Sequence, residues 1–122
     1  MSTIIPVSVF AFLVKDQNGD DLLQTRVSPE IVDLPSLPVT GPVTIRFQIQ
    51  STGYFFDTVG IEIISPDPES QFGPVWYSQD RTSAQIENQN YTGRAYAYMV
   101  YVTDMAKRLK ASVDPVVQND TR

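Results

Sequence analysis

The two residue types that carry much of protein chemistry are missing from this chain, which has no cysteine and no histidine. Without cysteine there are no disulfides, no thiolate metal sites and no thiol nucleophile. Without histidine the usual zinc ligand sets, the Ser-His and Cys-His catalytic pairs, and the commonest proton carrier near neutral pH are excluded as well. Positive charge is also scarce, with 9 Lys and Arg against 14 Asp and Glu and a net charge of −5. That balance disfavours nucleic acid and anionic membrane surfaces as partners, since both need a positive field. The one basic cluster, Lys107-Arg108-Leu109-Lys110, is flanked by Asp104 and Asp114 and reads as a solvated loop. Glycine-rich phosphate loops, dinucleotide fingerprints and nucleophile elbows are absent.

Apolar runs are short. The N-terminal stretch Ile4 to Val14 falls below the ~20 residues that a membrane span needs. It has no basic residue ahead of it, it is interrupted by Pro6 and Ser8, and Lys15-Asp16-Gln17-Asn18 follows where a small-residue cleavage site would stand. It therefore reads as part of the folded domain rather than as a signal sequence, and a cytoplasmic location is expected. Two sequons, Asn90-Tyr91-Thr92 and Asn119-Asp120-Thr121, would matter only in a secretory pathway.

What is present is a strand pattern. A chain of 122 residues suits one domain, here residues 1–122, with a core that needs no covalent staple. Gly93 to Thr103 reads as one long central strand, with Tyr96, Tyr98, Val100 and Val102 on one side and Ala97, Met99 and Tyr101 on the other. Val43 to Gln50 alternates most cleanly: Val43, Ile45, Phe47 and Ile49 face a core, and Thr44, Arg46, Gln48 and Gln50 face water. Further strands are expected at Pro6 to Lys15, Asp21 to Arg26, Val59 to Ile64, Gly73 to Ser78 and Ser83 to Glu87, with a brief pairing near the end. Pro29, Pro35, Pro38 and Pro42 forbid a helix or a paired central strand between Val27 and Pro42, which suits a crossover between two sheets.

Asn18-Gly19 is the strongest short-range hairpin signal, matching a type I′ turn. The oxygen-rich run Asp16 to Asp21 also suggests a calcium loop. Its order does not match, because the twelfth position counted from Asp16 is Val27 where a glutamate is required. The turn is the preferred reading.

Short strands with turn signals between them and no sustained helical period imply an all-β fold, an immunoglobulin-like two-sheet antiparallel sandwich of about seven strands. Tyr96, following the polar corner 90–93, stands where such sandwiches place a tyrosine that bonds back to the corner.

An enzyme built from this sequence would have to run on carboxylates. Asp57, Glu62, Asp67, Glu69 and Asp80 lie near the aromatic middle of the chain, but Glu62 alternates outward and the others sit in turn-like contexts, so no catalytic residue is assigned. No metal ligands or cofactor are assigned either. Aromatics exceed what one small core needs, so some should be exposed. Trp76, Tyr77, Met99 and Tyr101 are the candidate binding residues, for self-association as a homo-oligomer, for a protein partner, or for a glycan stacked on Trp76 and Tyr77.

The tail Asp114-Pro115-Val116-Val117-Gln118-Asn119-Asp120, read with Gly93 to Val102 before it, resembles small uncharacterised bacterial proteins that end in an Asp-Pro motif, the DP-EP family. That resemblance covers about the last third of the chain. It implies a bacterial origin, with no activity and no site residues to carry over.

Overall fold

The structure, a computed structural model, describes residues 3–37 and 39–120. It contains ten strands: β1 Thr3–Lys15, β2 Asp21–Ser28, β3 Ile31–Asp33, β4 Val43–Ile49, β5 Tyr54–Ile63, β6 Phe72–Tyr77, β7 Ser83–Asn88, β8 Ala95–Asp104, β9 Lys110–Val113 and β10 Val116–Gln118. One 3₁₀ turn, Leu34–Ser36, follows β3. The first sheet has the order β2-β1-β4-β7-β6, and the second the order β3-β10-β8-β5 with β9 also beside β8. The protein is an all-β sandwich.

Ten strands replace the expected seven or so, and the sheets are mixed rather than antiparallel. Both differences come from the proline-rich connection and the tail. The chain leaves the first sheet after β2, contributes the three-residue β3 to the edge of the second, and returns to place β4 parallel to β1. The tail then inserts β10 between β8 and β3, parallel to β3. The connection is thus the crossover its prolines suggested, with a short edge strand of its own.

Where the alternation was clean, the structure follows it on the core face, while on the outer face Thr44, expected to face water, is buried with its hydroxyl donating to Glu87 Oε1. Val43, Ile45, Phe47 and Ile49 are all buried, as are Tyr96, Tyr98, Val100 and Val102. Strand β8 is central in its sheet, paired to β5 on one side and to β9 and β10 on the other. The two sheets meet through ring contacts: Phe47 lies edge-on to Tyr98 at 5.6 Å, and Phe72 edge-on to Tyr96 at 5.0 Å. Such edge-to-face pairs add to the area they bury.

The sandwich has unlike ends. Where β4 and β8 begin, Gln71, Asn88, Asn90 and Asn119 are fully buried or nearly so. Asn88 Nδ2 donates to Asn119 Oδ1 at 2.6 Å, Asn119 Nδ2 donates to Asn88 Oδ1 and Gln71 Oε1, and Asn90 Oδ1 accepts from the Asp120 backbone N–H at 2.6 Å. The expected tyrosine corner is thus tied by amide side chains, while Tyr96 spends its ring on Phe72. We call this the closed end.

At the other end β1 continues past β4. The last β1–β4 pair is Val9 with Ile49, whereas β1 stays paired to β2 as far as Lys15 with Asp21. Beyond Ala11, whose N–H donates to Ser51 Oγ, the hairpin is a two-stranded arm with four ladder pairs, roughly 13 Å long before its turn. This is the open end.

Candidate functional site

Trp76 lies on β6, opposite Gln85 of β7, and is 55 % exposed. The outer face of the first sheet continues from it through Gln85 to Arg46, whose Nε donates to Gln85 Oε1 at 3.3 Å. The neighbouring rows pair Ser83 Oγ with Gln48 Oε1 and Thr44 Oγ1 with Glu87 Oε1. One indole thus stands beside a flat field of hydrogen-bonding side chains.

Tyr77 points the other way. Its hydroxyl accepts the N–H groups of Gly60 at 2.8 Å and Ile61 at 3.1 Å, across the sandwich on β5. There β5 bulges: Phe56 pairs with Val102 and Ile61 with Val100, so residues 57–60 stand opposite Tyr101 alone. A bulge of this size leaves backbone groups without ladder partners. Tyr77 takes up two of the N–H groups. Arg81 takes up carbonyls, its guanidinium donating to the oxygens of Phe56, Asp57 and Thr58 while stacked 4.2 Å from the Tyr77 ring centroid. Gly60 is required here, since a Cβ would lie 2.7 Å from Phe56 Cβ and 2.9 Å from Tyr77 Cε1. Tyr77 is therefore a structural clamp, separated from Trp76, and the pair does not form a joint stacking platform. Arg81 was not legible as a key residue, because its partners lie 23 to 25 residues away in the other sheet.

Met99 and Tyr101 are half-buried on the outer face of β8. The Tyr101 hydroxyl donates to Glu62 Oε1 at 2.8 Å, and that bond to an acceptor raises its pKa. Beside it the bulge presents Asp57, which pairs with Lys110 at 3.4 Å. The Thr58 N–H, and then Lys110, hold the Asp57 carboxyl below its ordinary value. These side chains border a shallow depression of about 370 Å³.

The remaining carboxylates of the aromatic middle are engaged in turns. Asp67 accepts the N–H groups of Gln71 and Phe72, Glu69 accepts from Thr92 Oγ1, and Asp80 accepts from Ser78 and Thr82, which lowers its pKa. Asp16 does the same in the hairpin turn: its Oδ1 accepts the N–H groups of Asn18 at 2.8 Å and Asp20 at 3.0 Å. Only Gly19 has a positive φ there, +81°, and its N–H donates to Asp16 O. The turn is thus a longer loop closed by a left-handed glycine, not the two-residue type I′ turn that Asn18-Gly19 suggested. No group of three or more carboxylates among the described residues is placed to hold a metal ion.

The open end gathers what is left. Phe12, Leu13 and Leu22 on the arm are 38 %, 47 % and 45 % exposed. A groove of about 260 Å³ lies between the start of β5 and the loop after β8, lined by Phe55, Phe56 and Met105 and by charges of both signs, Asp80, Asp104, Arg81 and Lys107. Met105 is 80 % exposed. No helix of the described residues is long and apolar enough to cross a membrane. No protein-family model matches the chain, and no curated protein shows significant similarity to it.

Proposed function

We propose that this protein is a non-enzymatic, cytoplasmic β-sandwich module that acts by self-association or by docking on a protein partner. The observation that carries this reading is the arm: Phe12 and Leu22 are exposed on one face, and Leu13 on the other, of a two-stranded hairpin that extends beyond the rest of its sheet. The inner face of the arm is held by buried Leu23 and by β9 beside β2, so the apolar side chains left in water mark a contact surface. The carboxylates support the non-enzymatic part, since those of the aromatic middle are occupied with backbone N–H groups, hydroxyls or Lys110. Size exclusion with light scattering tests the reading. An oligomer that grows with protein concentration is expected, and a strict monomer up to about millimolar concentration with no protein captured would overturn it.

A second reading is favoured by one observation, the exposed Trp76 beside the polar row of Gln85, Arg46, Gln48 and Ser83. A planar ring next to such a row suits a sugar, with the ring stacked and the hydroxyls hydrogen-bonded. Because Trp76 is the one tryptophan, a glycan array followed by titration of its fluorescence decides. A glycan that shifts the emission supports this reading, and none doing so removes it.

A further inference from the structure

The arm and the loop after β8 are at the same end of the sandwich, and their charges are opposite. The arm tip carries Asp16, Asp20 and Asp21, offset only by Lys15. The loop carries Lys107 and Arg108, with Lys110 opening β9. The topology sets this juxtaposition. Strand β1 runs parallel to β4 toward the open end, β8 runs to the same end where Asp104 pairs with Tyr54, and β2 packs beside β9.

The two charged tips do not neutralise each other within one molecule. Among the described residues the ion pairs are Lys15 with Asp21 and Lys110 with Asp57, so Asp20 and Arg108 are left without a partner of opposite charge. Each charged tip also adjoins apolar surface. Leu22 and Phe12 stand behind the acidic tip, while Met105 and Phe55 line the groove beside the basic loop.

A surface with an acidic apolar knob on one side and, on the other, an apolar groove bordered by the basic tip Lys107-Arg108 is complementary to its own copy turned by half a rotation. We infer that the open end is a twofold self-association surface, in which the arm of each molecule lies in the groove of the other and Asp20 and Asp21 face Lys107 and Arg108. This rests on the self-association reading above and specifies its site and symmetry. Charge complementarity steers and registers such a contact, while the apolar side chains supply the buried area.

Charge reversal tests it on the full chain. A loop variant, Lys107→Glu with Arg108→Glu, makes the whole open end acidic, and an arm variant, Asp20→Lys with Asp21→Lys, makes it basic. All four residues are exposed, and circular dichroism checks that each variant stays folded. Sedimentation velocity in low salt should show the wild type self-associating, with the dissociation constant rising as salt is added. Each variant alone should associate at least about tenfold more weakly. Mixed in equal amounts they should pair again, because in the mixed dimer both contacts regain opposite charges. If both variants associate as the wild type does, the site is refuted and self-association by another surface stands. A wild type that remains monomeric at low salt refutes both. Loss of association in the variants without rescue in the mixture refutes the reciprocal geometry.

Discussion

Replacing Tyr98 by Phe should stabilise the protein. Tyr98 is 1 % exposed in the middle of β8, and its hydroxyl has no hydrogen-bond partner among the described residues. Burial alone raises its pKa, as expected for a phenol whose charged form finds nothing to solvate it. A buried polar group without a partner costs about 1–3 kcal/mol relative to its hydrated state in the unfolded chain. Removing the oxygen deletes that cost and keeps the ring contact with Phe47. The void left is about 10–15 Å³, and at roughly 24 cal/mol per Å³ it takes back only ~0.3 kcal/mol. The net gain is therefore about 1 kcal/mol. For a chain of 122 residues, with an unfolding entropy of about 2.1 cal/mol/K per residue, this raises Tm by about 4 °C. Urea unfolding followed by far-ultraviolet circular dichroism is the appropriate assay, since the exposed Trp76 is a weak reporter of the core. The m value should not change. The matching change at Tyr77 should have the opposite sign, because the Tyr77 hydroxyl accepts from Gly60 and Ile61. Tyr77→Phe strands two N–H groups and should cost about 2 kcal/mol. A Tyr98→Phe protein less stable than wild type by about 1 kcal/mol would mean that the hydroxyl has a partner, and the reasoning would fail.

Gly60→Ala forces a Cβ to within 2.7 Å of Phe56 Cβ and should cost about 1–3 kcal/mol, read as a lower urea midpoint. Asn119→Ala removes the acceptor of Asn88 Nδ2 and a donor to Gln71 in a fully buried network, so a loss of ~3 kcal/mol and roughly 12 °C in Tm is expected by calorimetry. Asp57 provides a pH signature. Its folded pKa is lowered, so its contribution is present above the unfolded value near ~3.9 and is lost as pH falls through the folded one. The decline in urea midpoint from pH 6 to pH 3 should therefore be shallower for Asp57→Asn than for the wild type, and equal slopes would contradict the assigned role.

Strands β4 and β8 could be read from the sequence because their side chains alternate between one packed face and one less packed, and that period survives any rearrangement of neighbours. Strand neighbours are another matter. The parallel pairing of β1 with β4 depends on where the proline-rich crossover returns, and three-residue strands such as β3 and β10 are too short to show a period. Polarity misled at the closed end. Gln71, Asn88, Asn90 and Asn119 suggest a solvated corner, yet they are buried because they satisfy one another and nearby backbone groups across 30 to 48 residues of sequence. Trp76 and Tyr77 are adjacent in sequence and so point to opposite faces of β6. That parity was predictable, but which of the two faced water was not, since both neighbours are partly apolar.

The guarding of the sheet edges bears on how this molecule can make contact. Strand β6 carries Pro74, which lacks an N–H, β5 is broken by the bulge at 57–60, β3 has three residues, and β2 lies beside β9. Each is a means by which sheets avoid adding a strand from another chain. Contact through backbone pairing is thus opposed at every edge, and contact through side chains is left. At the closed end the buried amides spend their hydrogen bonds on one another and on the chain as far as Asp120. The open end has exposed leucines, a phenylalanine, a methionine and unpaired charges of both signs. A fold that blocks strand addition while displaying Phe12 and Leu22 on the outer face of an arm concentrates its remaining binding energy at that arm, which is where association should be sought first.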